Sequence, residues 1–291
     1  MAGGVNFCGI ELAHPVINGS GTFDVIAARR AFGDDLDERF PFSAFVSKTI
    51  TLEPRAGNAP PRLWEAPAGL INSIGLPNKG LTGYLESDLP ELARLPVPLI
   101  TNVMGSTAAE VIELVEAVGA RDEVAAIELN VSCPNVKTGL DIGADASSLA
   151  TFIRAIRPHA LKPLIVKLTP NTANVAAVAE AAAAEGADAV SLINTLRAMA
   201  ITSNGKAWLG GGTGGLSGPA VFAVALAQVT AVARHVDIPI VGMGGVRTPQ
   251  HAQDLLSAGA TLVAVGTESF RDPLAGARIA QGLREIPANS G

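Results

Sequence analysis

Two cysteines, Cys8 and Cys133, are all that 291 residues hold, too few for a disulfide framework. The amino end has no basic run leading into an apolar stretch and a cleavage site. Nothing there reads as a secretory leader, and a reducing cytoplasm is the expected setting. Positive charge is also sparse: the net charge is −6 and no Lys/Arg-rich block occurs, which argues against a nucleic-acid partner. The four histidines, His14, His159, His235 and His251, fall ahead of expected strands or on outer helices. Neither a histidine base nor a metal cluster is therefore expected. Long hydrophobic runs are missing too. The most lipid-like stretch, 219–233, is interrupted by Gln228 and Thr230 and falls short of the roughly 20 apolar residues a membrane span needs. It reads as a buried or interface helix, and no membrane association is expected.

What remains is a chain able to build a large interior, with 48% of its residues hydrophobic, 16% charged and 4% aromatic. That balance argues against disorder. Eight short apolar runs of strand character stand at 15–20, 44–50, 99–104, 126–133, 164–170, 189–195, 239–245 and 262–268. Most are followed by segments with apolar residues at helical spacing, such as 107–118, 171–185 and 249–258. The rhythm predicts an α/β fold, a (β/α)8 TIM barrel with residues 1–291 as a single domain, since such barrels fill about 250 residues. The competing open sheet usually carries a G-x-G-x-x-G turn after its first strand, and none stands there. Two connections, 51–98 and 196–218, exceed ordinary βα loops and are expected to form hairpin insertions at the carboxyl-terminal face. Segment 134–143 is expected to act as a lid.

A barrel places its active site at the carboxyl ends of the strands. In this chain those ends carry Ser20 with Gly21, Lys48 with Thr49, Asn102, Asn130 through Cys133, Lys167, Asn194 with Thr195, Gly244 with Gly245, and Gly266 with Thr267. Polar residues and glycines can simply begin turns. Two lysines, three asparagines and a cysteine at one rim must each be solvated or satisfied, however, and that favours a polar pocket. Glycines after the last two strands let backbone amides approach an anion, so Gly218, Gly244, Gly245, Gly266 and Thr267 point to a phosphate group; tight turns alone are the plainer reading. Lys48 and Lys167 each need an anionic or strongly accepting partner. Glu128 shares a strand face with Asn130 and could offset one of them; the alternative is an anionic ligand. Cys133 sits where a thiol can do chemistry, whereas Cys8 precedes the first strand and reads as a small inert hydrophobe.

Several segments together carry a resemblance: Ser47-Lys48-Thr49, Asn72-Ser73-Ile74-Gly75-Leu76-Pro77-Asn78, Asn130-Val131-Ser132-Cys133-Pro134-Asn135-Val136-Lys137-Thr138-Gly139, Val166-Lys167-Leu168-Thr169-Pro170-Asn171, Ile193-Asn194-Thr195 and Gly214-Gly215-Leu216-Ser217-Gly218-Pro219-Ala220. Across almost the whole chain they resemble the class 1 dihydroorotate dehydrogenases, and the Val-Lys-Thr-Gly after the cysteine looks like the type B branch, its catalytic FMN subunit. The resemblance implies oxidation of dihydroorotate to orotate in de novo pyrimidine (UMP) biosynthesis, with FMN as cofactor. It implies that Lys48, Asn72, Ser73, Ile74, Gly75, Leu76, Asn130, Asn194 and Thr195 hold the substrate. Ser20, Gly21, Lys48, Thr49, Asn102, Asn130, Lys167, Ile193, Gly218, Gly244, Gly245, Gly266 and Thr267 would contact FMN. Cys133 would take the proton from carbon 5 while the flavin takes a hydride from carbon 6, with Lys167 stabilising the anionic flavin. A free thiol titrates near about 8.5, so activity should climb into alkaline pH unless nearby cations lower that value. Class 2 relatives carry serine in place of this cysteine and an amino-terminal membrane-associated extension, so the chain is expected to fall outside class 2.

Type B implies a homodimer joined to a separate subunit that carries FAD and an iron–sulfur cluster and passes electrons to NAD, giving a heterotetramer. This chain's own sequence offers neither a dinucleotide fingerprint nor clustered cysteines for that role. Two other readings compete. A tRNA dihydrouridine synthase-like flavin reductase shares the asparagine and the Cys-Pro pair but needs a basic RNA surface and a further helical domain. A catalytically silent flavin-binding scaffold would use the same rim to hold cofactor alone.

Overall fold

The computed structural model describes residues 4–132 and 142–287. Cys133 and most of the expected lid, 134–141, lie outside the described residues. The chain opens with an antiparallel hairpin of β1 (Val5–Phe7) and β2 (Ile10–Leu12). There follow β3 (Val16–Asn18), β4 (Phe45–Val46), β5 (Leu63–Ala66), β6 (Gly69–Asn72), β7 (Leu99–Val103), β8 (Val124–Asn130), β9 (Leu164–Lys167), β10 (Ala189–Leu192), β11 (Leu196–Ala198), β12 (Gly214–Ser217), β13 (Ile240–Met243) and β14 (Leu262–Val265). Among the described residues, eight of these form a parallel sheet in the order β3-β14-β13-β10-β9-β8-β7-β4. Each lies at one of the eight apolar runs, so the expected (β/α)8 barrel is the observed fold.

The strands read as near-continuous apolar runs because both of their faces are buried. Ile17, Val46, Ile100, Ala126, Ile165, Ala189, Val241 and Ala264 fill the barrel. Val16, Phe45, Leu99, Ile127, Val166, Val190, Ile240 and Val263 face the other way into the larger core that packs the helices. Phe7 and Leu12 of the β1–β2 hairpin join the interior set and stopper the barrel at its amino-terminal end. A site can therefore open only at the other end.

The ladder stops between β3 and β4, and a side chain takes over. Buried Asn18 donates from Nδ2 to the Val46 carbonyl and accepts from the Val46 N–H, both at 2.8 Å. A carboxamide offers the same donor and acceptor as a peptide group, so one side chain completes the ring. A main-chain bond from Ser43 N–H to Val16 O at 3.0 Å reinforces it.

Helices start where polar side chains cap them. Asp24, Thr107, Asp145, Asn174 and Thr248 each accept a backbone N–H in the first turn of the helices Val25–Phe32, Ala108–Gly119, Ala146–Ile156, Val175–Ala184 and Pro249–Ser257. The helix expected over 171–185 begins only at Val175, because Asn171 is used elsewhere, donating to the Thr195 carbonyl at 3.1 Å. The stretch 219–233 forms a short 3-10 turn, Pro219–Val221, and the helix Phe222–Ala233, with Ala225, Val229 and Val232 buried. Among the described residues no helix is long and apolar enough to cross a membrane.

Both long connections form the expected hairpins, and they also merge. The strands run β11-β12-β6-β5 in one antiparallel sheet, in which Gly215 pairs with Asn72 and Leu216 with Ile71. Trp64 meets Trp208 edge-on with ring centroids 4.9 Å apart, and Ile71, Ala200 and Leu209 form a small core beneath. The joining was not expected, since nothing local links segments 143 residues apart.

Candidate active site

The carboxyl ends of the strands open into a cavity of about 450 Å³, within the usual range for small-molecule sites. On its wall stand Ser20 and Gly21 beyond β3, Lys48 and Thr49 beyond β4, Asn130 of β8 and Lys167 of β9. Ile193, Asn194 and Thr195 follow β10, and Gly218, Gly244, Gly245, Gly266 and Thr267 form one corner. The inserted sheet and its following loop add Asn72, Ile74 and Leu76.

Three expected residues do not reach this wall. Asn102 is fully buried behind it, Ser73 accepts from Asn58 Nδ2 at 2.9 Å, and Gly75 packs against Asn58 with φ of 75°. Conversely, Leu63, Leu70, Leu216, Ser217 and Phe270 line the cavity without having been singled out. Their signal was weak, because Leu63, Leu70, Leu216 and Ser217 sit on short insertion strands whose sequence does not say which face looks inward, and Phe270 ends the turn Thr267–Phe270 beyond the last barrel strand.

Alternation along β8 puts Glu128 and Asn130 on one face, with Asn130 at the cavity and Glu128 a layer deeper, 3% exposed. Asn102 Nδ2 donates to Glu128 Oε1 at 2.6 Å and Ser191 Oγ donates to Oε2 at 2.8 Å. Lys167 Nζ lies 3.9 Å from Oε1. The lysine that Glu128 can offset is thus Lys167, whose side chain also borders the cavity. Lys48, exposed beyond β4, brings a second cation to the same space.

Carboxamides converge beside these cations. Asn194 donates to Ser132 Oγ at 2.9 Å, and Ser132 N–H donates to Asn130 Oδ1 at 3.1 Å. Asn72 donates to the Gly215 carbonyl at 3.2 Å and ties the inserted sheet to the mouth. A Cβ on Gly215 would come within 1.9 Å of Thr195 Oγ1, so a glycine is what lets Thr195 stand there. At the opposite corner, Gly244 and Gly245 have φ of 125° and 73°, and a Cβ on Gly245 would sit 2.8 Å from the Gly218 carbonyl. Thr267 Oγ1 and Ser217 Oγ, 2.9 Å apart, close that corner.

Cys133 follows Ser132, with which the described chain reaches the rim. Cys8 stands at the far end of the barrel, its thiol donating to the Asp188 carbonyl at 3.5 Å. Burial, aided by the nearby Asp188 charge, pushes it up to about 11, which fits the inert reading.

Fold and site together define a β/α-barrel enzyme with a cationic, amide-rich mouth suited to an anionic ligand. The family model described as dihydroorotate dehydrogenase matches residues 4–286, and the chain belongs to that family, whose members are flavin-dependent oxidoreductases. It is 42% identical over 292 residues to the dihydroorotate dehydrogenase B (NAD(+)) catalytic subunit of Geobacter sulfurreducens, covering 99% of this chain and 93% of that one. With the protein of the same name from Pelobacter propionicus it shares 45% identity over 281 residues, 96% of this chain and 91% of the relative. The family match sets aside the RNA-modifying alternative.

Proposed function

We propose that this chain oxidises dihydroorotate to orotate with bound FMN and passes the electrons to NAD through a partner subunit. The observation that carries the reading is the meeting of Lys48, Asn72, Asn130, Lys167, Asn194 and Thr195 around one cavity with a glycine corner. The residues present fit such a cofactor. Glycines 218, 244 and 245 line the cavity with φ of 90°, 125° and 73°, a backbone that glycine adopts freely and that brings main-chain groups rather than side chains to this corner, which suits a phosphate. Asn102 Oδ1 is buried without a partner among the described residues, as an acceptor awaiting a ligand donor would be.

In this reading Ser20, Gly21, Thr49, Lys167, Ile193, Gly218, Gly244, Gly245, Gly266 and Thr267 hold FMN, with Asn102 buried one layer behind them and Lys48 and Asn130 shared between cofactor and substrate. Bound FMN supplies the two-electron acceptor for the hydride of carbon 6. Lys48 pairs with the substrate carboxylate, while Asn72, Asn130, Asn194 and Thr195 match its ring amides and fix the ring in place. Leu76, Leu63 and Leu216 cover the mouth and keep water from the reacting face. Cys133 takes the proton from carbon 5. The names of the relatives, each a catalytic subunit of an NAD(+) enzyme, support a separate partner subunit; in this reading that subunit carries FAD and an iron–sulfur cluster, and a homodimer of this chain stands at the centre of a heterotetramer.

Anaerobic addition of dihydroorotate to the FMN-loaded protein tests the reading. Bleaching of the flavin absorbance is expected, and a spectrum that stays yellow would leave a cofactor-holding scaffold instead. Cys133→Ala should keep bound FMN and orotate affinity while losing most of the bleaching rate; a stopped-flow rate near wild type would remove Cys133 from the role of base.

A further inference from the structure

One buried group at the site has no part in the mechanism above. Glu128 lies behind the cavity wall, 3% exposed, and it is acidic in a pocket otherwise built to receive anions. Burying a carboxylate there is costly unless its oxygens are satisfied. They are: Oε1 accepts from Asn102 at 2.6 Å and faces Lys167 Nζ at 3.9 Å, and Oε2 accepts from Ser191 at 2.8 Å. The two strands flanking β8, β7 and β9, and the next one, β10, contribute these partners, so the carboxylate cannot swing away without breaking several contacts.

This arrangement has two electrostatic effects. It partly cancels the Lys167 charge that borders the cavity, and it fixes the Asn102 amide with Nδ2 toward the carboxylate. Oδ1, the negative end of that dipole, is then left buried and free of partners among the described residues. Both effects make the local potential less positive than Lys167 alone would.

We propose that Glu128 is a positioning residue that holds down the reduction potential of the bound flavin by offsetting Lys167 and orienting Asn102. The inference rests on the flavin reading given above. A flavin becomes more negative on reduction, so any group that lowers the positive potential around it disfavours the reduced form. A site with Lys167 uncompensated would bind reduced flavin more tightly and give its electrons up less readily. Glu128 keeps the cofactor poised to be reduced by substrate and then reoxidised by the partner.

Glu128→Gln is the discriminating variant. Glutamine keeps the shape, an oxygen to accept from Asn102 and an amide to pair with the Ser191 hydroxyl, and it removes only the charge. In the FMN-loaded protein, reduced flavin should be favoured at least tenfold more than in wild type, a rise of about 30 mV in the two-electron midpoint potential measured by dye-coupled titration. A midpoint equal to or below that of wild type overturns the inference. If the wild-type protein fails to take up FMN, the functional reading falls and takes this inference with it.

The pair Lys167→Met and Glu128→Gln/Lys167→Met gives a second arm, which does not depend on Glu128→Gln folding alone and whose double variant leaves neither buried charge without its partner. Their midpoints should differ by much less than wild type and Glu128→Gln do. A full tenfold difference in that background would show that Glu128 does not act through Lys167.

Discussion

The barrel seam offers a sharp test of how this fold closes. In a parallel strand, alternate residues direct their backbone groups to opposite neighbours. Phe45 N–H and Ser47 N–H go to Pro98 O and Ile100 O on the β7 side, so Val46 turns both its N–H and its carbonyl toward β3. The Asn18 carboxamide meets both at 2.8 Å, in a position with no exposure to solvent. Asn18→Ala would orphan two buried backbone groups at about 1–3 kcal/mol each, a total loss of roughly 2–6 kcal/mol. For a chain of this size that lowers the melting temperature by about 4–10 °C. Asn18→Asp is nearly isosteric yet has no donor for the Val46 carbonyl and would bury a charge beside it, so it should be at least as damaging at neutral pH. Thermal unfolding followed by circular dichroism reads both. Because Ser20 and Gly21 follow directly, flavin affinity should fall with stability. An Asn18→Ala protein melting within about 1 °C of wild type would mean that the seam is held by other contacts and that the side chain is incidental.

Gly245→Ala should lose flavin affinity and melt several degrees lower, since a residue with φ of 73° would carry a Cβ 2.8 Å from the Gly218 carbonyl; unchanged flavin titration would remove that corner from the cofactor site. Cys8, raised from 9.0 to about 11, should react with a thiol reagent at pH 8 about a hundredfold more slowly in the folded protein than in the urea-unfolded chain, and equal rates would show the thiol to be open. Burial and the nearby Arg284 charge lower the His14 titration point below its ordinary 6.5. Both states are neutral above that value, and below it the unfolded chain binds a proton the folded one resists, so stability is lost as pH falls from about 6.5 to the depressed folded value. His14→Gln should flatten this part of the profile; parallel losses of melting temperature in the two proteins between about pH 7 and 5 would refute the assignment.

Much of the scaffold was legible because its signals are local. Buried parallel strands produce apolar runs and their helices start at capping residues, so the eight βα units could be read in order. What escaped was long-range. Asn18 looks like a strand-end asparagine, and only the failure of β3 and β4 to pair makes it a structural link. The four-stranded sheet over the mouth depends on β6 meeting β12, a pairing that neither hairpin encodes alone. Leu63, Leu70 and Leu216 became part of the cavity through that pairing.

The site was legible to the extent that it follows barrel topology, and its limits have a geometric cause. Taking the polar residue near each strand end assumes that all ends lie at one height, whereas a closed barrel staggers its strands. Asn130 is level with Lys167, but Asn102 is level with Glu128, one layer down, and the register of β7 against β8 shifts between Leu99 and Ile100. Asn102 and Glu128 thus form a floor while Asn130 and Lys167 form the wall. The same stagger explains how an acidic residue can serve an anion-binding mouth. From its deeper layer Glu128 can steady Lys167 and Asn102 without offering its own charge directly to a ligand, a division of labour visible only once the strands are set side by side.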